Sequence, residues 1–196
     1  MSRWKPDAQG RLAQAALELY GERGFEQTTV AEIAARAGLT ERTFFRHFAD
    51  KREVLFAGSD EFESLFVDGV TGAPDTATPL DAVAAGLDAI GARLQERRPF
   101  ARQRQDIIAA NAELQERERL KLASLATGAA GALRGRGVSE PAASLAAEAG
   151  IAVFRIAFER WLDAAEDRAL VNVIHDSLDE LKAVTAGRPA GLLPAR

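Results

Sequence analysis

The chain has no cysteine. That absence excludes a disulfide framework, a thiolate nucleophile and a cysteine-ligated zinc site, and it fits a reducing compartment. Histidine is almost as scarce, with only His47 and His175. No H-x-x-x-H or D-x-D pair occurs, and no metal ligands stand at useful spacing. No serine sits in G-x-S-x-G, and no Gly-rich phosphate loop appears. Nothing therefore supports an enzyme, and no cofactor is expected. No apolar run approaches the roughly 20 residues of a membrane span. The start, MSRWKPDAQG, lacks the apolar region of a signal peptide. A cytoplasmic protein with no membrane partner is the expectation. β-branched alternation is also missing, while Ala and Leu abound, which points to an all-α fold.

Charge is unevenly placed along the 196 residues. The net charge is −4, which argues against nucleic acid when averaged over the whole chain. Yet Met1–Phe56 holds nine Lys and Arg against eight Asp and Glu, leaving −5 for the remainder. Arg42, Arg46, Lys51 and Arg52 crowd one short stretch. Local placement, not the average, decides whether phosphates can be met.

Of those four cations, all but Arg52, the next residue, fall in TTVAEIAARAGLTERTFFRHFADK, residues 28–51. Thr29 followed three residues later by Glu32 is a capping box. Ile33, Ala34 and Ala37 recur at helical spacing, Gly38 can end the helix in the left-handed region, and Leu39 is expected buried in the turn. Thr40 caps a second helix, Glu41–Phe48, and Asp50 caps the next. Helix, short Gly-containing turn, helix is a helix-turn-helix, whose second helix enters the DNA major groove.

Elsewhere the pattern predicts a first helix over residues 7–23, with the stripe Leu12, Ala15, Ala16, Leu19 and Tyr20. Phe25 is expected to plug a core with Ile33, Leu39, Phe44 and Phe48. A fourth helix is predicted from residue 50 or 51 towards Gly69, with Gly58 as a soft point. The Gly/Pro/Thr stretch 69–79 marks the clearest boundary, and Thr78 with Pro79 opens a helix. Further helices follow from Pro99, from Ala112 to about Leu133, from Ser139–Pro141 after a linker at 134–141, and over about 168–184. The division expected is 1–50 for DNA binding, 51–186 for ligand binding and dimerisation, and 187–196 as a disordered tail. MSRWKP at the start is either a basic arm or a frayed end.

TTVAEIAARAGLTERTFFRHFADKREVL resembles the DNA-binding region of TetR-family transcriptional repressors. The pattern is a threonine pair, I-A, A-G-hydrophobic, T-hydrophobic-aromatic-x-H/Y-F, and a lysine opening the next helix. The resemblance implies about nine helices, a homodimer, and a C-terminal part that binds a small-molecule effector. The stretch RPFARQRQDIIAANAELQERERLKLASLA is similar to a subgroup associated with acyl-CoA-like or fatty-acyl ligands.

At the DNA, Arg42 is placed for a bidentate guanine contact, and Thr43 for a phosphate or base edge. Two roles are open to Glu41, accepting from cytosine or stabilising the helix dipole. Arg46 and His47 are expected to approach phosphates. By analogy with the family, Lys51 clamps another. Phe45 stands where many relatives carry tyrosine; it meets DNA through an apolar contact or joins the core. Thr29 is a cap whose neighbouring backbone N–H groups can also face a phosphate.

In the C-terminal part the resemblance implies a ligand pocket. Small residues Ala82, Ala85, Gly86, Ala89 and Gly91 leave room for one. Its candidate lining is Phe62, Phe66, Leu87, Ile90, Leu94, Ile107, Ile108, Leu122, Leu125, Phe154 and Arg155, each of which could equally be core. Arg155 either pairs with Glu148 or Glu159 or meets an anionic ligand group; Arg102 and Arg104 carry the same ambiguity with solvent. Phe158, Trp161, Leu162, Val171, Ile174 and Leu178 are the candidate dimer interface, with Trp161 as anchor. The function expected is a dimeric repressor of a palindromic operator, released by a small hydrophobic or acyl-type effector. The alternative is a helical ligand-binding or interaction protein without DNA-regulatory function, which the acidic balance and Phe45 favour.

Overall fold

Helix boundaries follow the capping chemistry of the sequence in the computed structural model, which describes residues 8–163 and 168–187. Among these residues all regular structure is helical. The elements are α1 (Ala8–Arg23), α2 (Val30–Arg36), α3 (Glu41–His47), a 3-10 helix (Glu53–Phe56), α4 (Ser59–Thr71), α5 (Pro79–Gln95), α6 (Arg98–Ala109), α7 (Ala112–Gly135), α8 (Ala142–Asp163) and α9 (Leu170–Thr185). α5 opens as expected, with the Asp81 N–H donating to Thr78 Oγ1 at 3.2 Å and Pro79 in the first turn. The expected arm at 1–6 lies outside the described residues, as does the expected tail from 188 onwards.

The fourth helix does not run unbroken from residue 50. Gly58 takes φ +84°, outside the helical region, and splits it into the 3-10 helix and α4. Asp50 does act as a cap, but of the 3-10 turn: its Oδ1 accepts from the N–H groups of Arg52 (2.8 Å) and Glu53 (3.2 Å). At the other end α4 continues through Thr71, so the break expected over 69–79 is shorter. Arg136 fastens that break by donating to the carbonyls of Thr71 (3.0 Å), Ala73 (2.7 Å) and Pro74 (2.7 Å).

The described residues of Met1–Ser59 and of Pro99–Lys121 form one compact unit; those of Asp60–Arg98 and of Leu122–Arg196 form the other. The first unit therefore holds α1, α2, α3, the 3-10 helix, α6 and the beginning of α7. Its core joins Leu12, Leu17 and Tyr20 of α1 to Phe25, Ile33, Phe44, Phe48 and Leu55, and also takes in Ile107, Ile108 and Leu114. Phe25 plugs this core as the pattern predicts, whereas Leu39 is only half-buried at its edge.

In the second unit α5, α8 and α9 pack against one another, and glycines set how closely. A methyl at Gly86 would lie 2.5 Å from Phe66 Cδ2, and one at Gly150 would lie 2.2 Å from Val83 Cγ1. At Gly91 it would be 3.1 Å from Ile174 Cδ1. Gly86 and Gly91 of α5 thus admit α4 and α9 to close range, and Gly150 of α8 admits α5.

Candidate nucleic-acid interface

The helix ends of the helix-turn-helix are fixed by local polar contacts. The Thr29 N–H donates to Glu32 Oε2 at 2.9 Å, while the Glu32 N–H donates to Thr29 Oγ1 at 3.3 Å. The Thr29 hydroxyl also donates to Glu32 Oε2 at 2.9 Å, and this bond together with that of the Thr29 N–H holds the Glu32 carboxyl below its usual range, with smaller help from Arg23. α2 ends on Gly38 at φ +65°, with Leu39 N–H donating to the Ala34 carbonyl at 2.8 Å and Gly38 N–H to that of Ala35 at 3.0 Å. Thr40 then caps α3, accepting from the Thr43 N–H at 3.2 Å. Arg11 of α1 donates to the Ala37 carbonyl at 3.1 Å and secures the end of α2.

α3 has one face in the core and one outside. Phe44 is fully buried and Phe48 nearly so. Glu41, Arg42, Phe45 and Arg46 are exposed; Thr43 and His47 are half-buried. Phe45 is 55% exposed and packs only edge-on against Phe44, at 5.4 Å between ring centroids. The core reading of Phe45 therefore does not hold, because Phe44 occupies that place. The Thr43 hydroxyl lies 3.0 Å from that of Thr40, and Arg46 Nη2 lies 3.4 Å from His47 Nε2.

Lys51 turns back onto the segment joining α1 to α2. Its ammonium donates to the carbonyls of Phe25 (2.9 Å), Thr28 (3.2 Å) and Glu26 (3.3 Å) and stands 4.4 Å from the Phe25 ring centroid. Tyr20 donates its hydroxyl to the Lys51 carbonyl at 2.6 Å; burial, aided by Asp50, pushes that phenol well above its ordinary value. Thr28 is buried, its hydroxyl donating to the Gly24 carbonyl at 2.9 Å. Neither Tyr20 nor Thr28 stood out as functional in the sequence. The available signal was the doubled threonine, since a capping box needs only Thr29.

The residues expected to line a ligand pocket fall in both units. Phe66, Leu87 and Ile90 are buried in the second unit, while Ile107 and Ile108 belong to the core of the first. Phe62, Leu94, Leu122, Leu125 and Phe154 are half-buried, and Arg155 is exposed on α8. Arg104 is committed within the first unit, donating to the Leu55 carbonyl at 2.7 Å and to Glu118 at 3.0 Å. Burial pushes its guanidinium below the ordinary value, with Glu118 opposing. Arg102 is exposed. Of the expected dimer residues, Trp161, Leu162, Ile174 and Leu178 are buried inside the protomer, and Phe158 and Val171 are half-buried. Trp161 packs beside Phe158 and under Arg98, which donates to its carbonyl at 2.7 Å. It anchors the protomer, not an open face. The large apolar residues left exposed on α8 are Leu145 and Ile156, with exposed Ala152 between them. His175 lies 2.9 Å from Asp88. Among the described residues no cluster of ligating side chains could hold a metal ion, and no helix is long and apolar enough to cross a membrane.

A capped helix, a glycine turn and a second helix with a charged outer face, set in an all-helical chain, define a helix-turn-helix protein with a second helical unit. Residues 12–57 match the model of the bacterial regulatory proteins, tetR family, and residues 77–186 match that of the MftR C-terminal domain. The chain belongs to the tetR family, with an MftR-type C-terminal domain. The transcriptional regulator TcmR of Streptomyces glaucescens is 35% identical over 86 residues, covering 44% of this chain and 38% of TcmR. The transcriptional activator FasR of Mycolicibacterium smegmatis is 32% identical over 74 residues, covering 38% of this chain and 34% of FasR. The matches thus span less than two-fifths of these relatives. Among solved structures, a complex of SmeT with triclosan superposes with a TM-score of 0.62 at 21% identity, covering 96% of this chain and 98% of SmeT. FadR of Bacillus subtilis in complex with stearoyl-CoA gives 0.60 at 20% identity, covering 88% and 96%. Likeness at such identities concerns the fold.

Proposed function

We propose that the protein is a homodimeric, sequence-specific DNA-binding transcriptional regulator of the cytoplasm, without catalytic activity. It represses from a palindromic operator and leaves it when a small hydrophobic or acyl-type effector binds. Residues 1–50 carry DNA recognition, and residues 51–186 carry effector binding and dimerisation. The observation that carries the reading is the outer face of α3, where Arg42, Phe45 and Arg46 stand exposed above buried Phe44. Arg42 reads a guanine, Phe45 touches an apolar base edge, and Arg46 and His47 approach phosphates. Glu41, Thr43 and Thr29 complete the contact set.

One such module reads a half-site, so two must act together, with recognition helices about 34 Å apart or a multiple of it. The exposed stripe Leu145, Ala152 and Ile156 on α8 supports pairing through that helix. An acyl-type effector finds support in FadR of Bacillus subtilis, solved in complex with stearoyl-CoA. Release is a population shift: the effector must favour one spacing of the recognition helices over another, because equal affinity for both moves nothing.

The net charge of −4 favours a second reading, a helical effector-binding protein with no regulatory role at DNA. Binding to a labelled duplex across a salt series separates the two. The regulator loses affinity steeply as salt rises, through counterion release. Absence of binding at low salt on every duplex would leave the second reading.

A further inference from the structure

Lys51 opens the segment after α3, yet its polar atoms face back across the sequence to the turn joining α1 to α2. That turn, residues 25–28, is closed by the Thr28 N–H donating to the Phe25 carbonyl at 3.3 Å. The carbonyls of Phe25, Glu26 and Thr28 lie outside any helix and call for further partners. Lys51 supplies them. An ammonium has three N–H donors, and each has one of these carbonyls within 3.3 Å. The Phe25 ring, 4.4 Å from the nitrogen, covers the charge on another side. The Lys51 backbone is held in turn by the Tyr20 hydroxyl at 2.6 Å. α1, the turn and the start of the 3-10 segment are thereby locked around one cation. α2 begins directly after this turn, and α3 packs on α2.

We infer that Lys51 is a positioning residue for DNA recognition: it fixes the turn at residues 25–28, and through it α2 and α3, and makes no phosphate contact itself. The inference rests on the regulator reading above. Donors already aimed at three carbonyls have none left for a phosphate oxygen. Arginine cannot stand in for lysine here, because its planar fork does not direct three N–H groups to one small ring of carbonyls.

The test compares wild type with Lys51→Met, Lys51→Arg and Tyr20→Phe, the last a milder variant that loosens the same clamp without touching the charge. Amide hydrogen exchange of the DNA-free proteins is followed at residues 25–30, with amides of α5 and α8 as internal reference. Affinity for a duplex enriched from a random pool is measured across a salt series. Exchange at 25–30 is expected to quicken in Lys51→Met, and less in Tyr20→Phe, with the reference unchanged. Affinity is expected to fall about tenfold in Lys51→Met, the scale of a lost charge-assisted hydrogen bond, with an unchanged salt slope and no rescue by Lys51→Arg. Unchanged exchange at 25–30 in Lys51→Met overturns the inference. So does a salt slope smaller by about 0.9, the signature of one lost phosphate contact, with Lys51→Arg restoring it. Failure of the regulator reading looks different: wild type then binds no duplex, while the exchange arm still decides the clamp.

Discussion

Gly69 of α4 and Gly86 of α5 meet backbone to backbone. A methyl on Gly69 would lie 2.6 Å from the Gly86 Cα and 3.0 Å from its nitrogen. Neither atom can rotate away as a side chain would, so the two helices must separate before either position accepts a Cβ. The crossing fixes how α4 sits on α5.

Gly69→Ala or Gly86→Ala is expected to destabilise the protein by about 1–3 kcal/mol, the usual range for overpacking a filled core. Gly131 of α7 is a fitting control, since a methyl there meets only Arg134 Nη2 at 3.7 Å. Gly131→Ala should raise stability by about 0.5–1 kcal/mol, as alanine does in a helix interior. Urea unfolding with a common m-value reads both. Equal effects at the two kinds of site would contradict the close crossing.

The capping box makes a second prediction. Thr29→Ala should cost about 1 kcal/mol, typical of a lost N-cap. Glu32 is held below the ordinary glutamate value of 4.5, so its contribution is complete above that and is lost as pH falls through the lower folded one. Stability of wild type should therefore decline on acidification below about pH 4.5, where the unfolded chain takes up protons first. Glu32→Gln should be less stable at neutral pH and show a shallower acid decline. An acid limb identical to wild type would remove the carboxylate from this role.

At the DNA, the two arginines of α3 should fail differently. Arg42→Ala should cost about 1–3 kcal/mol on the preferred sequence and relax preference at one base pair. Arg46→Ala should weaken all sequences alike and reduce the salt slope by about one. Titrations against the enriched duplex and its single-base variants separate these patterns. Exchanged patterns would reverse the roles.

What the sequence disclosed was mostly what acts within four residues. Thr29 with Glu32, Gly38, Thr40 and Thr78 each satisfy backbone groups of their own neighbourhood, so spacing alone located them. Gly58 was noticed but not its effect, because whether a glycine stays helical or turns to φ +84° depends on the packing at either side. Ile107 and Ile108 carry the same apolar signal wherever they fold, and only the return of α6 to the core around α1 assigns them to the first unit. Trp161 has the size of an interface anchor, but α8 turns it inward beneath Arg98. Lys51 was legible as a cation near the recognition helix. Its partners lie more than twenty residues earlier, at a distance no local pattern reports.

The central claim is that the protein reads a two-fold DNA sequence, and selection of bound duplexes from a random pool at moderate salt tests it most directly. The account predicts enrichment of a palindrome whose half-sites are spaced by about one helical turn or a multiple of it. No enrichment by protein shown to be folded and dimeric would contradict it.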